Sequence, residues 1–454
     1  MSDTTTAPAA ADVGVFSAEQ VEILTARKTE PEWLREQRLA AHGVFAATPM
    51  PTTEPEEWRY TEIARVLDLD AFELAADASA VTSRADLPAA LREAMERVGA
   101  GAGTVVQADA SVVHEVLDEG VSSQGVIFTS LERAAREHPE LVRDHLGAAA
   151  APEIGKFSAL NAALWTGGLF LYVPKGVRVE APLRYWQWLG GGGAAVLPRI
   201  LVVAEENAEV TLVTGTVSQS SEARGLSVGA TEVFAGENAR VTLVQEQGWG
   251  RGVVHLTTDR FVAGRDARIT TLNLALGADV SRGDVQCRMD APGAHVDLLG
   301  LYLSDATQHV DFQTLQDHVA PHASSNLLFK GSLQDESRSV FRGMIRVHKG
   351  AQRTDAYQTN RNLLLSDRAR ADSLPNLEIE ADDVRCSHAA TVGQLDQEEI
   401  FYLRSRGIPL DDAVRLVIFG FFGEVLEQVP GEEIRKELMS SIERKLAARR
   451  ASRG

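Results

Sequence analysis

Ala204-Glu205-Glu206-Asn207-Ala208-Glu209-Val210-Thr211-Leu212-Val213 returns as Ala235-Gly236-Glu237-Asn238-Ala239-Arg240-Val241-Thr242-Leu243-Val244, and again as Ala263-Gly264-Arg265-Asp266-Ala267-Arg268-Ile269-Thr270. Weaker copies follow at Pro292-Gly293-Ala294-His295-Val296, Pro321-His322-Ala323 and Lys349-Gly350-Ala351. The alanines at 208, 239, 267, 294, 323 and 351 are spaced by 31, 28, 27, 29 and 28 residues. A near-constant period means stacked equivalent units. Each unit joins a turn signal, Asn, Asp or Gly before a small Ala, to an alternating strand such as Val-Thr-Leu-Val. Helix-pair repeats would show a 3.6-residue period instead. The expected architecture is therefore a β-helix, each coil covering the edge of the one before.

Outward from this region the texture changes on both sides. Toward the amino terminus, an Ala- and Thr-rich start is expected to be disordered. Ser17 with Gln20 reads as a capping box opening a helix to about Arg27, and a second helix starts at Pro31. The Pro49 to Pro55 stretch marks a loop, and short helix-like segments such as Leu131 to His138 continue to about Ala151. Beyond the repeats, Asp396 with Glu399 caps a helix ending at Arg406-Gly407. Pro409 and Asp411 open another, Ala413 to about Gln428, apolar nearly all round and so expected to be buried. A last helix carries Ile434, Leu438, Ile442 and Leu446 at four-residue spacing, a stripe that needs an apolar cover. The expected domains are 1–155, mainly helical; 156–393, the β-helix; and 394–454, helical.

Composition narrows the function. The formal net charge is −19, which argues against nucleic acid as a main partner, since phosphate binding draws on clustered Lys and Arg. Two cysteines, Cys287 and Cys386, are too few for a disulfide framework. With no signal-peptide pattern at the start and no apolar run long enough to cross a bilayer, a cytoplasmic protein is expected.

Motifs for catalysis are missing. The nearest Walker A resemblance ends at Gly155-Lys156-Phe157, but Ala150 stands where its first glycine belongs and Phe157 replaces the magnesium-binding hydroxyl. No nucleophile elbow, zinc helix or paired Cys-x-x-Cys set occurs, so no catalytic residues and no enzyme activity are expected. Val384-Arg385-Cys386-Ser387-His388 is different. Side chains alternate along a strand, so Cys386 and His388 share one side, and thiolate beside imidazole suits iron or zinc. Two ligands do not close a four-coordinate site, so a metal held there needs groups from elsewhere, most simply another chain. A buried free cysteine near a hydrogen-bonded histidine is the competing reading. Cys287 reads as core.

Glu57-Trp58-Arg59-Tyr60-Thr61, Lys156-Phe157-Ser158-Ala159-Leu160-Asn161-Ala162-Ala163 and Tyr172-Val173-Pro174-Lys175-Gly176-Val177 resemble the SufB/SufD family of iron–sulfur cluster assembly (SUF) proteins. Pro375-Asn376-Leu377-Glu378-Ile379, Asp382 to His388, Thr391 to Asp396 and Phe401 to Ile408 resemble its SufD branch. The resemblance covers nearly the whole chain from about Phe16. It implies a right-handed parallel β-helix between helical domains. It also implies a scaffold complex with a SufB-like paralogue and two copies of a SufC-like ATPase, with a transient iron–sulfur cluster at the SufB interface and no cofactor held stably by the isolated chain. A homodimer without partners is compatible with it. Carried onto this sequence, His388 becomes the interfacial ligand with Cys386 beside it, and the ATPase docks near Phe401, Arg406, Phe419 and Phe422. SufB itself is the nearest competitor, but its acceptor cysteines lie in the β-helix, and Cys287 aligns with none of them. A purely structural subunit is a further alternative, as is an exported β-helix carbohydrate lyase, which the absent signal peptide disfavours.

Overall fold

The computed structural model describes residues 14–81 and 83–451; the expected disordered start, as far as Val13, lies outside them. The middle of the chain winds into a β-solenoid of about eight turns with helices at both termini. Successive strands alternate between an eleven-stranded and a ten-stranded sheet, so that each coil adds one parallel strand to each. The repeat explains this geometry residue by residue. Asn207, Asn238, Asp266, Gly293 and His322, each directly before a repeat alanine, all have φ between 53° and 78°, the left-handed region that Gly, Asn and Asp enter most cheaply. The alanine that follows is buried at the corner in every coil, where a larger side chain would push the turns apart. In the sixth copy the left-handed residue moves to Arg353.

The alternating strands turn one set of side chains into the lumen. Val210, Val241, Ile269 and Val296 stack in register, and Phe312, Phe329 and Phe341 form a ladder of rings with centroids 5.0 and 5.5 Å apart. Each fully buried large apolar side chain contributes about 1.5–3 kcal/mol, which makes the lumen the main source of stability.

The amino-terminal region differs from an all-helical domain. Helices Ala18–Lys28 and Glu32–Ala47 form as expected, Ser17 accepting from the Gln20 amide at 3.3 Å. With Lys156–Leu164 they cover the outer face of the larger sheet over Leu226, Val228, Val254 and Leu256. Strands Gly103–Ala108 and Ser111–Leu117, however, form an antiparallel hairpin on the smaller sheet, and Ile127–Ser130 runs antiparallel to Leu169–Val173 on the larger. These strands close the first end of the solenoid. Glu115 bridges the two sheets there, accepting from the Thr129 hydroxyl at 2.7 Å and the Ser130 amide at 2.9 Å.

Two of the family-like motifs clamp this region to the solenoid. Thr61 donates to Asp311 at 2.6 Å and lies 2.8 Å from His309 Nε2, while Arg282 stacks on Trp58 and pairs with Asp311. Asn161 donates to the carbonyls of Pro198 and Val228 and accepts from Arg199, which is buried against Glu232. Lys156, far from any phosphate cradle, donates to the Phe45 carbonyl at 2.9 Å and sits over the Phe45 ring.

The carboxy-terminal helices are Gln397–Ser405, Leu410–Leu426 and Glu432–Ala451. Asp396 caps the first, and Gly407 follows it at φ 86°. The cover for the Ile434, Leu438 and Ile442 stripe is the chain's own smaller sheet, through Leu272, Leu274, Leu299, Leu301 and Leu328. Ion pairs fix the helices further. Glu424 meets Lys330 at 2.5 Å and Arg361 at 3.1 Å, and Glu437 meets the buried Arg184 at 2.7 Å. Leu410–Leu426 is only half covered, contrary to the expectation from its apolar sequence: Leu410 and Leu416 are exposed. No helix among the described residues is long and apolar enough to cross a membrane.

Candidate functional site

The last coil consists of Arg370–Ile379 and Arg385–Gln394, each paired on one side only, with Arg338–Val347 and Asp355–Leu364 respectively. Among the described residues no strand covers their far edges, so a row of backbone donors and acceptors is free to pair.

The lumen columns run out through this end. One reads Val296, Ser325, Ala356, Cys386; the next reads Leu298, Leu327, Gln358, His388. Cys386 and His388 therefore share a side, as their spacing predicts. Ala356 and Gln358 are buried beneath them, whereas among the described residues no strand stacks above the last rung. His388 is exposed, and Cys386 is half-buried against the cluster of Ile345, Val347 and Ala356. Around them Leu377, Ile379 and Val392 are 37%, 41% and 45% exposed. This apolar rim was readable only in part. The alternation Asn376-Leu377-Glu378-Ile379-Glu380 announces a strand, and the missing signal is that no further coil follows to cover its apolar face.

Burial, and then the nearby Asp355 carboxylate, push the Cys386 thiol up from its ordinary range. Among the described residues no three His, Cys, Asp or Glu side chains converge on a metal position. What this end presents is an imidazole and a thiol on the same side of an unpaired edge. Cys287, by contrast, lies in the lumen in register with Phe261 and Gln316. It is 1% exposed, and burial drives its thiol far up, which disfavours the reactive thiolate.

The residues expected to dock an ATPase separate into two groups. Phe401 and Tyr402 are 73% and 57% exposed on the first carboxy-terminal helix, and the Arg406 guanidinium lies 5.2 Å from the Tyr402 ring centre. Phe419 is half-buried and Phe422 is fully buried against the solenoid. Phe422 is thus corrected from a contact residue to an anchor of the helix: it falls on the face turned toward the sheet. Leu410 and Leu416 on the next helix are exposed as well.

Residues 17–185 match the family described as SufBD protein N-terminal region, and residues 188–421 match SUF system FeS cluster assembly, SufBD core domain. The chain is 32% identical to the iron–sulfur cluster assembly protein SufD of Bacillus subtilis, over 94% of this chain and 97% of that protein. It is 26% identical to SufB of the same organism, over 93% and 92%. A SufBD family protein of Mycobacterium leprae is 40% identical over 46% of this chain and 55% of its own length. The match runs through both the helical start and the solenoid, and the chain belongs to the SufBD family of iron–sulfur cluster assembly proteins.

Proposed function

We propose that this chain is the SufD-type, non-catalytic subunit of an assembly scaffold. Its open end pairs edge to edge with that of a SufB-like paralogue, bringing His388, with Cys386 beside it, against the partner's thiolates or carboxylates. The nascent cluster is cargo at this seam rather than a resident cofactor. A SufC-like ATPase docks on the exposed surface of Phe401, Tyr402, Leu410 and Leu416. The observation that carries this reading is the unpaired parallel edge with an imidazole and a thiol on its lumen side. An edge of this kind offers main-chain hydrogen bonds, while its apolar rim supplies burial.

The greater identity to SufD than to SufB favours the SufD assignment. So does Cys287, which lies fully buried in the lumen, out of reach of a sulfur donor. His388→Ala, co-produced with both partners, is expected to assemble normally and to yield several-fold less cluster by iron and sulfide analysis. Normal cluster yield would leave this chain a purely structural subunit.

A further inference from the structure

The lumen changes character as it approaches the open end. Toward that end Tyr302, Asn360, Asn362 and Ser373 join the apolar filling as a hydrogen-bonded network. Tyr302 donates to Asn362 Oδ1 at 2.5 Å, Asn362 donates to Asn360 Oδ1 at 2.8 Å, and Ser373 donates to the same oxygen at 2.8 Å. The Asn360 amide in turn reaches the Tyr302 hydroxyl and the Phe329 carbonyl.

Gln358 stands outside this network. It is wholly buried, yet neither its Oε1 nor its Nε2 has a hydrogen-bond partner among the described residues. Its amide lies against Gly343 of the opposite sheet, where any Cβ would collide with it. The fold thus keeps space for an amide at a position where the rung below carries Leu327. Buried amides are almost always paired. The residue directly above Gln358 in the column is His388. Of the other polar groups that the last coil turns inward, Ser373 is already engaged with Asn360, and Cys386 packs on the apolar cluster.

We infer that Gln358 is a positioning residue for His388: its amide oxygen takes one imidazole N–H and so fixes which ring nitrogen is left to face out of the open end. A histidine that binds a metal through one nitrogen commonly has the other held in this way. This inference deepens the proposed role of His388 and rests on it, but its primary measurement does not.

In the full chain labelled with 15N-histidine, His388 is identified as the resonance lost in His388→Ala. At about pH 8.5, where imidazole is neutral, one His388 tautomer is expected to dominate. Gln358→Met, close in shape but without the amide, is expected to return His388 to the mixed population of a free imidazole. The same variant should lower cluster yield with the partners several-fold. A His388 tautomer unchanged in Gln358→Met, with Gln358 merely hydrated, overturns the inference. If circular dichroism shows that the Met variant has not folded, Gln358→Leu, the residue found one rung below, takes its place under the same criterion. Normal cluster yield in His388→Ala would remove the ligand role, while a tautomer shift in Gln358→Met would still establish the bond.

Discussion

His318 lies inside the solenoid with Nε2 2.8 Å from the Ser325 hydroxyl and no exposed surface. Burial lowers its pKa to about 4. The unfolded chain takes up a proton as pH falls through about 6.5, and the folded chain refuses it until about 4. Stability should therefore be lost across that window on acidification, by about 2 kcal/mol at pH 5 from this residue. Urea unfolding at pH 7 and pH 5 should show a smaller difference for His318→Gln than for the parent chain; an equal difference would remove His318 as a source. At this scale the sequence said which residue types were present but not which were sealed. Cys386 and His388 were legible as a pair because strand alternation is local. Gln358 was not, because it comes into register with His388 only after a full coil has brought position 358 beneath position 388.

Among the elements, the repeat alanines revealed the coils since each corner needs a left-handed residue followed by a small one, and that requirement leaves a mark in every turn. The amino-terminal hairpin was missed although Thr104-Val105-Val106 and Ser111-Val112-Val113 flank Asp109, a residue at φ 48°. Its strands are short and lie between helical segments, so their alternation is too brief to stand out from the helical pattern around it. The half-covered helix Leu410–Leu426 departs from the expectation because exposed apolar side chains such as Leu416 have the same composition as buried ones. Phe422 belongs to the second kind. Phe422→Ala should weaken the docking of the carboxy-terminal helices by about 3–5 kcal/mol. Hydrogen exchange should rise across residues 410–446 while solenoid strands such as 255–263 stay protected. Uniform exchange throughout would mean that the helices and solenoid unfold as one unit. Phe401→Ala, on the exposed side, should leave exchange unchanged and weaken ATPase binding in a pull-down with the partner.

For the molecule as a whole, the apolar rim of the last coil should decide association. Leu377 and Ile379 gain cover only when another surface meets that end, and charging a pairing edge is an effective way to block it. Leu377→Lys with Ile379→Lys is expected to abolish association with a SufB-like partner, and any homodimer, without lowering the melting temperature. Sedimentation velocity reads the first effect and calorimetry the second. Retained association would place the interface elsewhere.

The two ends of the solenoid are unlike. One finishes in parallel strands that could accept another rung, and the other in short antiparallel strands tied together by Glu115. A rod with matching ends invites head-to-tail growth into fibres. This one has unlike ends: were its open end to meet another open end, the pair would expose at its tips only the short antiparallel strands tied by Glu115. Raising the concentration should fill pairs without lengthening them, so a protein made of stackable coils remains a counted component rather than a polymer.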